Sequence, residues 1–181
     1  MPATAGTLDL DRIQQVTQFV QSKADSLRDQ CIRSFNYCGH SNGVIIKVVQ
    51  SPNNSYYDVK WPDTAPSEEA LEQSYDMVES AERGAEAIAF LLVGELTTFT
   101  ALYRAVRGTH IDYWLGYKTD PNNPFKNSGR LEVSGIITEN EGNTVRGRVK
   151  EKMDRIPEGI LPVYVIVVEF GVPYATVVVK R

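Results

Sequence analysis

The chain has 181 residues, enough for one domain of ordinary size and too few for two generous ones. Hydrophobic residues make up 42% and charged residues 23%, and Gly and Pro are scattered without a period, which excludes a mainly disordered chain, a collagen-like rod and a coiled coil. Lys plus Arg number 19 and Asp plus Glu 23, so the net charge is −4, the wrong sign for a free-standing, sequence-blind DNA binder.

The first residues, Met-Pro-Ala-Thr-Ala-Gly, lack the basic start and apolar run of a secretory signal. The longest apolar stretches, Ala87–Val93 and Val163–Val168, fall far short of the roughly 20 residues that span a bilayer. The expectation is a cytoplasmic protein with no membrane partner. Cys31 and Cys38 are then free thiols, buried or half-buried. With His40 they supply too few ligands, too widely spaced, for zinc.

Apolar residues at Leu8, Ile13, Val16, Phe19, Val20, Ala24, Leu27, Cys31 and Phe35 predict a helix over residues 8–36, capped by Asp9 or Asp11. A hairpin follows, Val44–Gln50 and Tyr56–Trp61, around the turn residues Ser51-Pro52-Asn53-Asn54. Ser67, with Glu68, Glu69 and Glu72 behind it, predicts the start of a second helix running to about Leu96, with Gly84 and Gly94 tolerated inside it. Its stretch Ala85–Val93 is apolar on nearly every side and should be buried.

Three strands are expected next, over Thr98–Val106, His110–Tyr117 and Arg130–Ile137. In the second, Ile111, Tyr113 and Leu115 should share one face and His110, Asp112 and Trp114 the other. In the third, Leu131 and Val133 oppose Arg130, Glu132 and Ser134. Asn143 caps a short helix to about Ile156, apolar at Val145, Val149, Met153 and Ile156 and basic elsewhere. Val163–Phe170 and Ala175–Val179 are the last strands. The expected fold is α/β (α+β): a central mixed β-sheet with flanking helices in a single domain, 1–181. Residues 1–66 form an N-terminal helix and hairpin extension, and 67–181 an α-β-β-β-α-β core with one further strand.

That order of elements resembles the PD-(D/E)XK, or restriction-endonuclease-like, nuclease fold. The resemblance implies an Asp on the second core strand and a Glu or Asp on the third, two residues before a Lys. A Glu from the first core helix often joins them. Asp112 in Gly108-Thr-His-Ile-Asp-Tyr-Trp-Leu-Gly116 takes the second-strand place, and Glu132 in Arg130-Leu-Glu-Val-Ser-Gly-Ile136 the third, 20 residues on. Glu82 or Glu86 can come from the helix. The third strand departs from the pattern, because Ser134 stands where the Lys belongs; Arg130, Lys150 or Lys152 are the substitutes within reach. The same two phrases also resemble a family of small uncharacterised bacterial proteins, a likeness that implies no activity.

The implied function is Mg²⁺-dependent hydrolysis of a nucleic-acid phosphodiester. Asp112, Glu132, Glu82 and Glu86 would bear on the metal, and Asp112, Glu132, Lys150 and Arg130 on catalysis. The chemistry is sound in itself, since two acids facing one side of adjacent strands hold Mg²⁺ while it keeps several waters. The net acidity points to a homo-oligomer or a partner protein that completes a positive groove, and the fold by association to a bacterial defence or mobile-element complex. The alternative is a catalytically inactive nuclease-fold subunit that serves as a protein-interaction module. Plainer readings stand beside each residue: Asp112 and Glu132 as salt-bridge partners of Arg107, Arg130 or a histidine, His110 as a hydrogen-bonded structural group, and the basic run 146–155 as a solvated helix face. No phosphate-binding loop, serine elbow or HExxH helix is present.

Overall fold

A computed structural model describes residues 3–63, 69, 76–118, 122, 123 and 126–180. Eight strands form one mixed sheet: β1 (Gly6–Asp9), β2 (Val44–Gln50), β3 (Asn53–Lys60), β4 (Phe99–Arg104), β5 (Tyr113–Tyr117), β6 (Gly129–Ile136), β7 (Val163–Glu169) and β8 (Tyr174–Lys180). The spatial order is β1-β3-β2-β8-β7-β6-β5-β4. Among the described residues, the helices α1 (Gln21–Tyr37), α2 (Met77–Leu96) and α3 (Val145–Arg155) flank it, with a 3-10 helix at Leu10–Val16. From α2 onward the order is α-β-β-β-α-β plus one strand, as the hydropathy pattern predicts. Strands β4, β5 and β6 form an antiparallel meander, and β7 returns parallel to β6 after α3. The N-terminal hairpin joins the same sheet, β2 lying parallel to β8.

Period-2 alternation sorts the side chains onto two faces. On one face Leu131, Val133, Ile166, Val168, Ala175 and Val177 meet α1 and α2 in the larger core. On the other, Val163, Val165, Val167 and Ile136 meet Val145 and Ile156 beside α3. Residues Ala85–Val93 of α2 are buried throughout, as expected. Gly84 has a packing reason: a Cβ there would lie 2.9 Å from Cys31 Cα, so α1 and α2 approach backbone to backbone at this crossing. Beside it, the Arg33 guanidinium donates to Ser80 Oγ at 2.9 Å, and Ser80 donates to Gln30 Oε1 at 2.7 Å. These buried polar groups thus satisfy one another across the helix pair. Cys31 is fully buried and Cys38 half-buried; both are free. Among the described residues no helix is long and apolar enough to cross a membrane.

The N-terminal expectation needs correction. Residues 8–36 are not one helix. Leu8 lies in β1, paired with Val59, and the Asp9 side chain accepts from Asp11 N to start the 3-10 helix. Thr17 then bridges to Ala101, and the chain is extended at Val20 before α1 begins. The buried residues Leu10, Ile13 and Val16 recur every third position, which fits a 3-10 turn as well as an α-helix face. The second helix is capped by Asp76, which accepts from Glu79 N at 2.8 Å; the cap expected at Ser67 lies outside the described residues. For α3 the cap is Thr144, one residue after the expected Asn143.

Candidate active site at the divergence of two strands

The site exists because β5 and β6 part company. Their pairing covers only Tyr113–Leu115 against Gly129–Leu131, whereas β6 continues to Ile136 with β7 on its other side. Two β6 amides beyond the parting therefore lack a strand partner, and carboxylates take that place. Val133 N donates to Asp112 Oδ2 at 2.9 Å, and Gly135 N donates to Glu82 Oε2 at 3.1 Å. Glu82 reaches the strand only because α2 lies directly on it. A Cβ at position 135 would sit 2.1 Å from the Ala81 carbonyl oxygen, so glycine is required there.

Glu132 and Ser134 lie on the α3 face of β6, as the alternation predicts. Their spacing on the strand, about 6.6 Å, is close to one helical turn of about 5.4 Å. Two α3 cations one turn apart consequently meet them. Lys152 Nζ donates to Glu132 Oε1 at 2.6 Å. The Arg148 guanidinium donates to Ser134 Oγ at 3.3 Å and lies 3.8 Å from Glu82 Oε1. Ser134 in turn donates to Glu82 Oε1 at 3.2 Å. An amine from the helix that follows β6 thus meets the Glu132 carboxylate of that strand.

Asp112 and Glu132 line the same cavity and interact electrostatically. The Glu132 carboxyl is pushed up to about 7, first by burial, then by the neighbouring Asp112 charge, with the Lys152 ammonium opposing both. Burial likewise pushes Glu82 and Glu86 upward. Between the ordinary value of 4.5 and 7, folded Glu132 holds a proton that the unfolded chain has released. Stability from this group therefore falls as pH rises through that window, by up to about 1.4 kcal/mol per pH unit for one proton. Glu82 and Glu86 act in the same direction, so the Glu132 share is the difference between wild type and Glu132→Gln. Urea melts from about pH 5 to about pH 8 should show the two curves converging at the acid end; parallel curves would exclude a raised Glu132.

The other candidates lie elsewhere. Glu86 accepts the Tyr113 hydroxyl at 2.8 Å and faces Arg104 at 3.9 Å. Arg130 donates to the carbonyls of Leu161 and Pro157 and ties that loop to the start of β6. Lys150 points outward and pairs with Asp154. The face assigned to Ile111 is corrected: it packs in the α3-side cluster, not with Tyr113 and Leu115. The cause is His110, whose φ of 55° turns the chain before β5 begins. His110 is exposed beside the site. Arg148 escaped the sequence reading. It precedes Lys152 by one turn, and Lys152 follows Val145 by two, on the flank of the apolar stripe; that helical spacing was the available signal.

A cavity of about 690 Å³ opens over the pair, lined by Arg83, Arg104, Arg107, His110, Asp112 and Glu132 among others. No protein-family model matches the chain, and no curated protein matches it.

Proposed function

We propose that this protein is a Mg²⁺-dependent hydrolase of nucleic-acid phosphodiesters. The observation that carries the reading is that Asp112 and Glu132 line one cavity while the Lys152 amine holds Glu132. Among the described residues no three His, Cys, Asp or Glu side chains gather into a metal-holding group. Two adjacent carboxylates nevertheless fit Mg²⁺, which takes one or two and retains several waters. Mg²⁺ held by Asp112 and Glu132 would supply Lewis-acid stabilisation of the phosphoryl oxygens. The protein's own contribution is positional. Val133 N holds Asp112, Lys152 holds Glu132, and Glu82 with Arg148 braces the next rung of β6. Lys152 also places a positive charge where the attacked phosphoryl group gains negative charge. The proton that Glu132 retains near neutrality leaves when the carboxylates take up a cation, so metal affinity should rise with pH.

A second reading, an inactive nuclease-fold subunit acting as a protein-interaction module, draws on the same structure: Asp112 and Glu82 already accept backbone amides. Titration calorimetry with Mg²⁺ and Mn²⁺, followed by plasmid and RNA cleavage, separates the two. Wild type is expected to bind and cleave, and Asp112→Asn/Glu132→Gln to do neither while remaining folded. No binding and no cleavage by the wild type would leave the interaction module.

A further inference from the structure

We propose that Arg104 and Arg107 grip a phosphate of the nucleic-acid strand beside the Asp112–Glu132 pair; the choice of ligand rests on the phosphodiesterase reading. The chain as a whole carries −4, so no general field draws in a polyanion. The cavity wall is different. It presents three arginines and His110 against two acids, one of them already paired with Lys152. Arg83 is committed to Glu79 at 3.1 Å. Arg104 keeps 59% of its side chain exposed, and its ion pair with Glu86 is long, at 3.9 Å. Arg107 is exposed and has no ion-pair partner among the described residues.

The loop that presents Arg107 is built rather than loose. Ala105 N donates to the Asp112 carbonyl at 2.8 Å, closing the loop at the site itself. Thr109 Oγ1 donates to the Val106 carbonyl at 2.7 Å. Gly108 at φ 91° and His110 at φ 55° make the reversal, and the second is a left-handed conformation at a non-glycine residue. Arg104, the last residue of β4, and Arg107 on the loop thus line the same cavity as the two carboxylates. Guanidinium groups suit this task because their planar forks match phosphate oxygens. A strand seated there would place one phosphate on the arginines and the next near the acids.

The test is fluorescence anisotropy with a labelled single-stranded oligonucleotide in EDTA, which separates binding from hydrolysis. Arg104→Gln/Arg107→Gln is compared with Arg146→Gln/Arg155→Gln, a pair on the exposed part of α3 that removes the same charge. The pocket variant is expected to lose about tenfold or more in affinity, and its salt slope should fall by about 0.7, the value for one single-strand phosphate contact. The α3 variant should stay near wild type. Equal loss in both variants, an unchanged salt slope, or no salt-dependent binding by the wild type would each overturn the proposal. Arginine-dependent binding without cleavage would sustain it while the hydrolase reading falls. Cleavage that persists with unaltered binding in the pocket variant would do the reverse.

Discussion

Under the proposed hydrolase reading, Lys152→Met is expected to lower phosphodiester hydrolysis by about 10²–10³-fold while leaving Mg²⁺ affinity equal to wild type or higher. The two effects run in opposite directions for one reason. Lys152 Nζ holds Glu132 Oε1 at 2.6 Å, and the side chains of the pair are only 21% and 10% exposed. In the absence of metal the ammonium competes for the carboxylate. In the proposed reaction it would supply positive charge beside the phosphoryl group. Methionine keeps the packing of the stem and removes the charge. Loss of the ammonium also removes the one group that holds Glu132 down against burial and Asp112, so its raised carboxyl should rise further. The metal isotherm is therefore best compared above about pH 8, where that added proton affinity matters least. If the pair is only structural, the variant changes melting temperature and nothing else. A rate unchanged within error, in protein that binds Mg²⁺, would remove Lys152 from the mechanism.

Leu92→Asp is expected to unfold the protein. Leu92 is completely buried in α2, between the sheet and the neighbouring helices, in a stretch with no exposed side. An aspartate there is either ionised without a partner or protonated with unsatisfied oxygens, and it leaves part of the leucine volume empty. Losses above about 4 kcal/mol belong to this class of change, against a total stability of about 5–15 kcal/mol. Circular dichroism and size-exclusion chromatography should show loss of the native state at room temperature. Val78→Asp is the internal control: it lies on the same helix but is 72% exposed, so the effect should stay within about 0.5 kcal/mol. A folded Leu92→Asp protein with wild-type melting temperature would contradict the burial of α2.

Much of the architecture was legible because burial imposes a period. Alternation on β6 separated Leu131 and Val133 from Arg130, Glu132 and Ser134, and the solid apolar run in α2 announced a helix buried on all sides. Period alone misled at the N-terminus, where Leu10, Ile13 and Val16 satisfy both helix types. Only long-range pairing, Leu8 with Val59 and Thr17 with Ala101, decides between them. The face of Ile111 failed for a related reason. A strand pattern was extended through His110, whose left-handed φ no propensity foretells.

The candidate site divides in the same way. Sequence by itself placed Glu132 and Ser134 on one face of β6, and Asp112 at the approach to β5, because side-chain alternation along a strand is a local property. Tertiary structure alone decided the rest. It chose Lys152 over Lys150 and Arg130 through the rotation at which α3 docks on β6, and Glu82 over Glu86 for the strand amides through the contact of Ala81 with Gly135. It also decided where β5 leaves β6, which frees the amides that Asp112 and Glu82 occupy. Those choices turn on shifts of an ångström or two between elements distant in the chain. No period along a single segment records them.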